Sequence, residues 1–169
     1  MKQFRTLFIA LALTLGATAF TNAQTKVAHI ATQELVEAMP AYNDAMTQLE
    51  KLEKTYDAEI NDMLTEAQKT MQRYQSEVET VTDEENQKRS QEMQMTQRRI
   101  QEHSQQARQE LQKKQNDLIA PIIEKARQAI QKVARAKGYD YVLDSTTGTG
   151  VILADGYDLM PDVKKELGI

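Results

Sequence analysis

The chain has 169 residues, of which 21 are Lys or Arg, 25 are Asp or Glu and none is Cys, for a formal charge of −4. The missing cysteine excludes disulfides, thiol catalysis and cysteine-ligated metals. The acidic balance speaks against nucleic acid as a partner, because a phosphate backbone calls for a basic surface.

Residues 1–23 read as a secretory signal, with Lys2 and Arg5 in the charged region, an apolar run over 7–20, and Thr21-Asn22-Ala23 offering a small residue at the cleavage edge. A membrane anchor fits less well: the run falls short of the ~20 apolar residues that span a bilayer and contains Thr14, Gly16 and Thr18. Cleavage near Ala23 would expose Gln24, and the absence of a cysteine there excludes lipidation. Lys2 and Arg5 are two of the 21 basic residues, so the remainder carries 19 against 25 acidic ones, a formal charge of −6. Such a surface has no general attraction to anionic membranes.

Lys26-Val27-Ala28-His29-Ile30 is short and β-prone. Thr32 then offers an N-cap for a small helix over 33–39 that buries Leu35 and Val36, and Pro40 resets the backbone. From there to Gly138 the chain holds one further proline and no glycine. Ala45, Leu49, Leu52, Tyr56, Ile60, Met63, Ala67, Met71, Tyr74, Val78 and Val81 follow one another at a mean spacing of 3.6 residues. That is the α-helical repeat and not the 3.5 of a supercoiled heptad, so one nearly straight apolar stripe runs up a long helix. Glu50 with Lys54 and Glu84 with Lys88 stand at the supportive i,i+4 spacing on its polar faces.

At Thr82-Asp83-Glu84-Glu85 the pattern breaks in the form of a capping box, which predicts a second helix start and a fold-back at residue 82. Met71 would then face Met93, Leu64 would face Ile100, and Met46 would face Leu118. One continuous helix is the alternative, since no Gly or Pro marks the turn. Between Met93 and Leu111 the stripe is thin; from Leu118 onward Ile119, Ile122, Ile123, Ile130 and Val133 cover more than one face, so this base needs a wider partner than its hairpin mate. Pro121 predicts a kink there. Gly138 ends the helix. Residues 139–144 read as a strand, 145–150 as a loop, 151–154 as a hairpin mate and Asp155-Gly156 as a turn, after which Pro161 opens a last helix with Val163 and Leu167 one turn apart.

The fold class expected is α+β, mostly α: a long antiparallel helical hairpin over 45–117, with its tip near 80–85, projecting from a small β-containing body made of 24–44 and 118–169. Such a body buries too little surface to anchor two long arms alone, which predicts obligate oligomerisation through the strands and the 118–134 segment.

Catalytic chemistry is hard to find. His29 and His103 lack any metal-ligand or nucleophile spacing, Asp83-Glu84-Glu85 lacks the alternating ligands and glycine of a calcium loop, and no glycine-rich phosphate loop exists. Neither an enzyme nor a cofactor is expected. Binding remains. Met63, Met71 and Met93 suit the hairpin seam, whereas Met95, two residues from Met93, falls on another face and is the better contact candidate.

The order of parts, from Lys26-Val27-Ala28-His29-Ile30 through the charged hairpin to Ala129-Ile130-Gln131-Lys132-Val133-Ala134, Gly138-Tyr139-Asp140-Tyr141-Val142-Leu143-Asp144 and Tyr157-Asp158-Leu159, resembles the Skp/OmpH family of periplasmic chaperones. The resemblance implies a homotrimer whose β bodies associate while helical hairpins surround a cavity, holding unfolded outer-membrane β-barrel proteins without nucleotide. On that reading the client contacts chosen from the sequence are Tyr74, Met95 and Ile100, and the assembly contacts Leu118, Ile122, Ile130, Val133, Tyr141 and Leu143. Two departures stand out. The best-known members are strongly basic at positions suited to lipopolysaccharide and anionic lipid, whereas this tip carries Asp83-Glu84-Glu85, so no lipopolysaccharide site is carried over. Met160 stands where members often have Thr, which predicts a last helix without its usual cap. A periplasmic coiled-coil spacer or adaptor with one fixed partner shares these features and is the competing expectation.

Overall fold

The computed structural model describes residues 25–169; the signal reading of 1–23 lies outside the described residues. Seven elements follow in order: β1 (Val27–Ile30), α1 (Thr32–Glu37), α2 (Pro40–Glu77), α3 (Asp83–Ala136), β2 (Tyr141–Asp144), β3 (Tyr157–Asp158) and α4 (Met160–Leu167). The architecture is α+β and mostly α.

The hairpin is present. At 1.5 Å per residue, α2, with 38 residues, is about 57 Å long, and α3, with 54, about 81 Å. Cross-arm bonds join Tyr56 to Glu110, Glu59 to His103, Tyr74 to Glu92 and Glu77 to Arg89. Each pair is centred within one residue of position 82, where the capping signature puts the fold-back. Thr82 is the N-cap, its hydroxyl accepting from the Glu85 amide at 3.2 Å. The reciprocal half of the box is not made, because the Glu85 carboxylate turns to Arg89 at 3.4 Å. Asp83, Glu84 and Glu85 still favour the start electrostatically, at the positive end of the helix dipole. α3 runs through Pro121 as one helix, although the ring leaves the Asp117 carbonyl without its i+4 donor.

Three strands form one parallel sheet in the order β2-β1-β3. Two expectations are corrected here. Residues 151–154 are not a strand, and the third strand is instead Tyr157–Asp158, on the far side of β1. The physical reason lies in the loop before it. The Asp144 carboxylate accepts from the Thr146 amide at 3.0 Å, and the Thr149 hydroxyl donates to the Asp144 carbonyl at 2.8 Å, closing a turn that leads the chain off the β2 edge. The second correction concerns Thr32, which is the first residue of α1 and not its N-cap. Asp144 supplies the cap from β2, accepting from the Thr32 amide at 3.2 Å and from its hydroxyl at 2.6 Å.

The core of the body gathers Ala28 and Ile30 of the sheet, Leu35 of α1, Ile122 and Ala126 of α3, and Leu159 and Val163 around α4. Gly138, at φ 74°, terminates α3 in the left-handed conformation that a side chain disfavours. Met160 brings no hydroxyl to the start of α4, and the Asp158 carboxylate accepts the Met160 amide at 2.8 Å in its place.

Candidate functional surfaces

Two surfaces are left open by this fold. The first lies along the distal hairpin. Small and polar residues alternate with apolar ones on facing helices, so the seam closes at some levels and opens into grooves at others. Leu64, Ala67 and Met71 of α2 and Met93 and Ile100 of α3 line a groove of about 500 Å³, flanked by Gln68, Ser90, Gln94 and Gln97. On the opposite face Met63, Thr70, Met93, Thr96 and Arg99 line another of about 310 Å³. Neither is a closed pocket; the first is a shallow apolar strip bordered by amides and a hydroxyl, and the second is bordered by the Thr70 and Thr96 hydroxyls, the Glu66 and Glu92 carboxylates and Arg99.

Polar clasps hold the arms together at these levels. Arg89 lies 4.5 Å from the Tyr74 ring and donates to Glu77 at 2.8 Å, while the Tyr74 hydroxyl donates to Glu92 at 2.8 Å. The Tyr74 phenol is pushed up by its bond to Glu92, by burial and by the Glu92 charge. Lower down, the bond from the Tyr56 phenol holds Glu110 below the usual carboxylate range.

The second surface is on the body. Paired residues of a parallel sheet share a face, and Val27, Tyr141 and Leu143 are exposed on the face away from the core. His29 stands among them, with Nδ1 at 3.1 Å from the Ser145 hydroxyl and Nε2 donating to the Gly156 carbonyl at 3.2 Å. Beside the sheet, Val36, Tyr42, Ile119, Ile123 and Ile130 line an open apolar trough of about 490 Å³ between α1 and α3. Ile152 is 101% exposed, and Leu153 beside it is also exposed. An apolar run so uncovered has no partner among the described residues.

The residues singled out from sequence divide accordingly. Met95 is 55% exposed, off the seam as its spacing requires. Tyr74 is half-buried under Arg89. Ile100 is 8% exposed at the floor of the first groove, where Leu64 and Met71 are the more open apolar residues. Ile122 and Val133 are buried in the protomer's own core. Leu118 and Ile130 are half-buried at its margin, and Tyr141 and Leu143 are exposed. Ile123, Ile152 and Leu153 were not singled out, and the signal that finds them is burial, which periodicity does not supply.

The family described as "Outer membrane protein (OmpH-like)" matches residues 26–167, nearly all of the described chain. The chain belongs to the OmpH-like family. The crystal structure of a candidate outer membrane chaperone (OmpH-like) from Caulobacter crescentus CB15 superposes with a TM-score of 0.75 at 16% sequence identity, covering 87% of each chain. At that identity the likeness speaks for the fold alone. No curated protein matches at a significant level.

In this OmpH-like chain the ionic contacts of the body brace the same elements that present the second surface. Lys137, at the end of α3, bonds the Tyr157 hydroxyl at 3.0 Å and Asp162 of α4 at 2.9 Å, and these two partners raise its pKa in that order. Tyr157 also stacks on Tyr139 at 5.4 Å. Burial pushes Asp144 up, but the hydrogen bonds from Thr146 and Thr32 outweigh it and bring the carboxyl down to about 2. Among the described residues no cluster of His, Asp or Glu could hold a metal ion.

Proposed function

We propose that the chain is an ATP-independent periplasmic holdase that binds unfolded outer-membrane β-barrel proteins and keeps them from aggregating on the way to the outer membrane. The observation that carries this reading is the pair of shallow grooves on the distal hairpin. An unfolded barrel strand alternates apolar and polar residues. A strip of Leu64, Met71 and Met93 bordered by Gln68, Ser90, Gln94 and Gln97 offers such a segment both apolar contact and hydrogen bonds, with no deep pocket to demand one sequence. Each contact is weak, and several arms acting together would make the hold tight by avidity. Family membership and the reading of residues 1–23 as a secretory signal support it. The acidic tip gives no reason to add lipopolysaccharide or anionic lipid as a partner.

Several arms require several copies, and the second surface is suited to supply them. We assign assembly into a homotrimer to Val27, Tyr141 and Leu143 of the open sheet face, together with Leu118 at the core's margin and Ile123 and Ile130 of the trough. The trough and the 151–153 run are different patches, so a contact between them would be head-to-tail, the kind that builds a ring where its rotation closes.

The test is light scattering after a urea-unfolded outer-membrane barrel is diluted into buffer containing purified residues 24–169, without nucleotide. A client kept soluble in a complex of defined mass is the expected result. Aggregation at the rate of the client alone would overturn the reading in favour of a coiled-coil spacer with one fixed partner.

A further inference from the structure

The chain has no cysteine and eight methionines, so thioethers are its only sulfur groups. Oxidant sensitivity at methionine follows exposure, and the methionines are unevenly placed. Met39 is 3% exposed in the core of the body, whereas Met71 is 46% and Met95 55% exposed on the distal hairpin. Half-buried Met93 lies between them on the seam, and Met71 and Met93 form two of the apolar walls of one groove.

We propose that Met71, Met93 and Met95 form an oxidation site through which peroxide weakens the hairpin's grip on unfolded chains. The consequence rests on the holdase reading; the chemistry rests on exposure and groove geometry. In the step itself the thioether sulfur attacks one oxygen of hydrogen peroxide. A sulfur–oxygen bond forms as the oxygen–oxygen bond breaks, the sulfur gives up two electrons, and the departing hydroxide takes a proton to become water. The product is methionine sulfoxide. Its oxygen is a strong acceptor in a groove whose remaining apolar walls are Leu64, Ala67 and Ile100. Gln68, Gln94 and Gln97 border the same groove and offer amide donors to the new oxygen. The strip thereby turns from apolar to polar and loses the contacts an unfolded apolar segment seeks. Both arms stay helical, because Met71 and Met95 are exposed and the polar clasps at Tyr56, Tyr74 and Arg89 hold the seam on either side of Met93. Sulfoxide reductases reverse the change, which makes the site a switch and not only a lesion.

The experiment exposes the full mature chain to hydrogen peroxide, maps the added oxygen by peptide mass spectrometry, and repeats the light-scattering assay. Met71 and Met95 should oxidise about tenfold faster than Met39. The treated chain should hold several-fold less client with its circular dichroism unchanged, and a methionine sulfoxide reductase should restore it. A variant carrying Met71→Leu, Met93→Leu and Met95→Leu leaves this groove without a thioether, so its grip, whatever its untreated level, should be the same before and after peroxide. Full retention of grip by the oxidised wild type, an equal loss in the leucine variant, or loss of helix on oxidation would each overturn the proposal. Failure of the untreated chain to hold any client would instead overturn the holdase reading, and the functional consequence with it.

Discussion

Asp144 caps a helix that begins 112 residues earlier in the chain. Its carboxylate takes the Thr32 amide and hydroxyl on one side and the Thr146 amide and hydroxyl on the other. One side chain thus ties β2, α1 and the following loop together. Removing it in Asp144→Ala should cost about 1–3 kcal/mol, the worth of hydrogen bonds to a charged group that leave donors behind, measured as a lowered urea midpoint at pH 7. The pH dependence has a definite sign. The folded carboxyl lies at about 2, below the ordinary 3.8, so its stabilisation is complete above pH 3.8 and is lost as pH falls through 2. The urea midpoints of wild type and Asp144→Ala should therefore converge over that window. A constant gap down to pH 2 would mean that the charge on Asp144 is not what holds α1.

Among the elements, the hairpin tip is held by Arg89 together with the Tyr74–Glu92 bond and the Asn86 amide, which donates to the Val78 carbonyl at 2.9 Å. Arg89 is engaged by Glu77, Glu85 and the Tyr74 ring, and its Nη1 is buried without an acceptor. Arg89→Met keeps the length of the side chain and removes all three interactions. Amide exchange over residues 74–92 should then accelerate about tenfold while the body is unaffected, since local opening depends on local contacts. Unchanged exchange at the tip would show that the Tyr74–Glu92 bond suffices there. The turn itself was legible in the sequence because Thr82-Asp83-Glu84-Glu85 is a local signal, satisfied by atoms three residues apart. The strands were only half legible. Residues 151–154 have the composition of a strand, but composition does not tell whether a partner edge is within reach, and Asp144 and Thr149 lead the chain away from it. Tyr157–Asp158 has two residues, too few for any alternation to register.

For the molecule as a whole, the question is which apolar residues face inward. Ile100, Ile122 and Val133 have the same character in sequence as Ile123 and Leu143, yet the first three are buried within the protomer and the last two are exposed. Helical spacing ranks faces only where one face is apolar, and the base of α3 is apolar on several. Which of them the protomer keeps for itself is decided by the sheet and by α4, which lie far away in sequence. Because Tyr141 and Leu143 are exposed, Tyr141→Asp with Leu143→Asp should leave circular dichroism intact and yield monomers by light scattering. Oligomers of unchanged mass would refute their place in assembly. The cysteine-free chain also permits a covalent check. Ile123→Cys and Ile152→Cys in one chain should give a discrete inter-subunit ladder under oxidation if the trough receives the 151–153 run, and each single variant should give none.

The two arms differ in length. α3 continues for several turns below the start of α2 and is embedded in the body through Ile122, Ala126 and Val133, while among the described residues the distal two-thirds of the hairpin packs on itself alone. Such a shape is a pivoted rod. Over an arm of about 57 Å a tilt of ~10° at the embedded end carries the tip ~10 Å sideways. Adjustments of a few side chains around the base would therefore set how wide the arms stand apart, with no rearrangement along their length. The space between arms is then governed by the part of the chain that lies farthest from it.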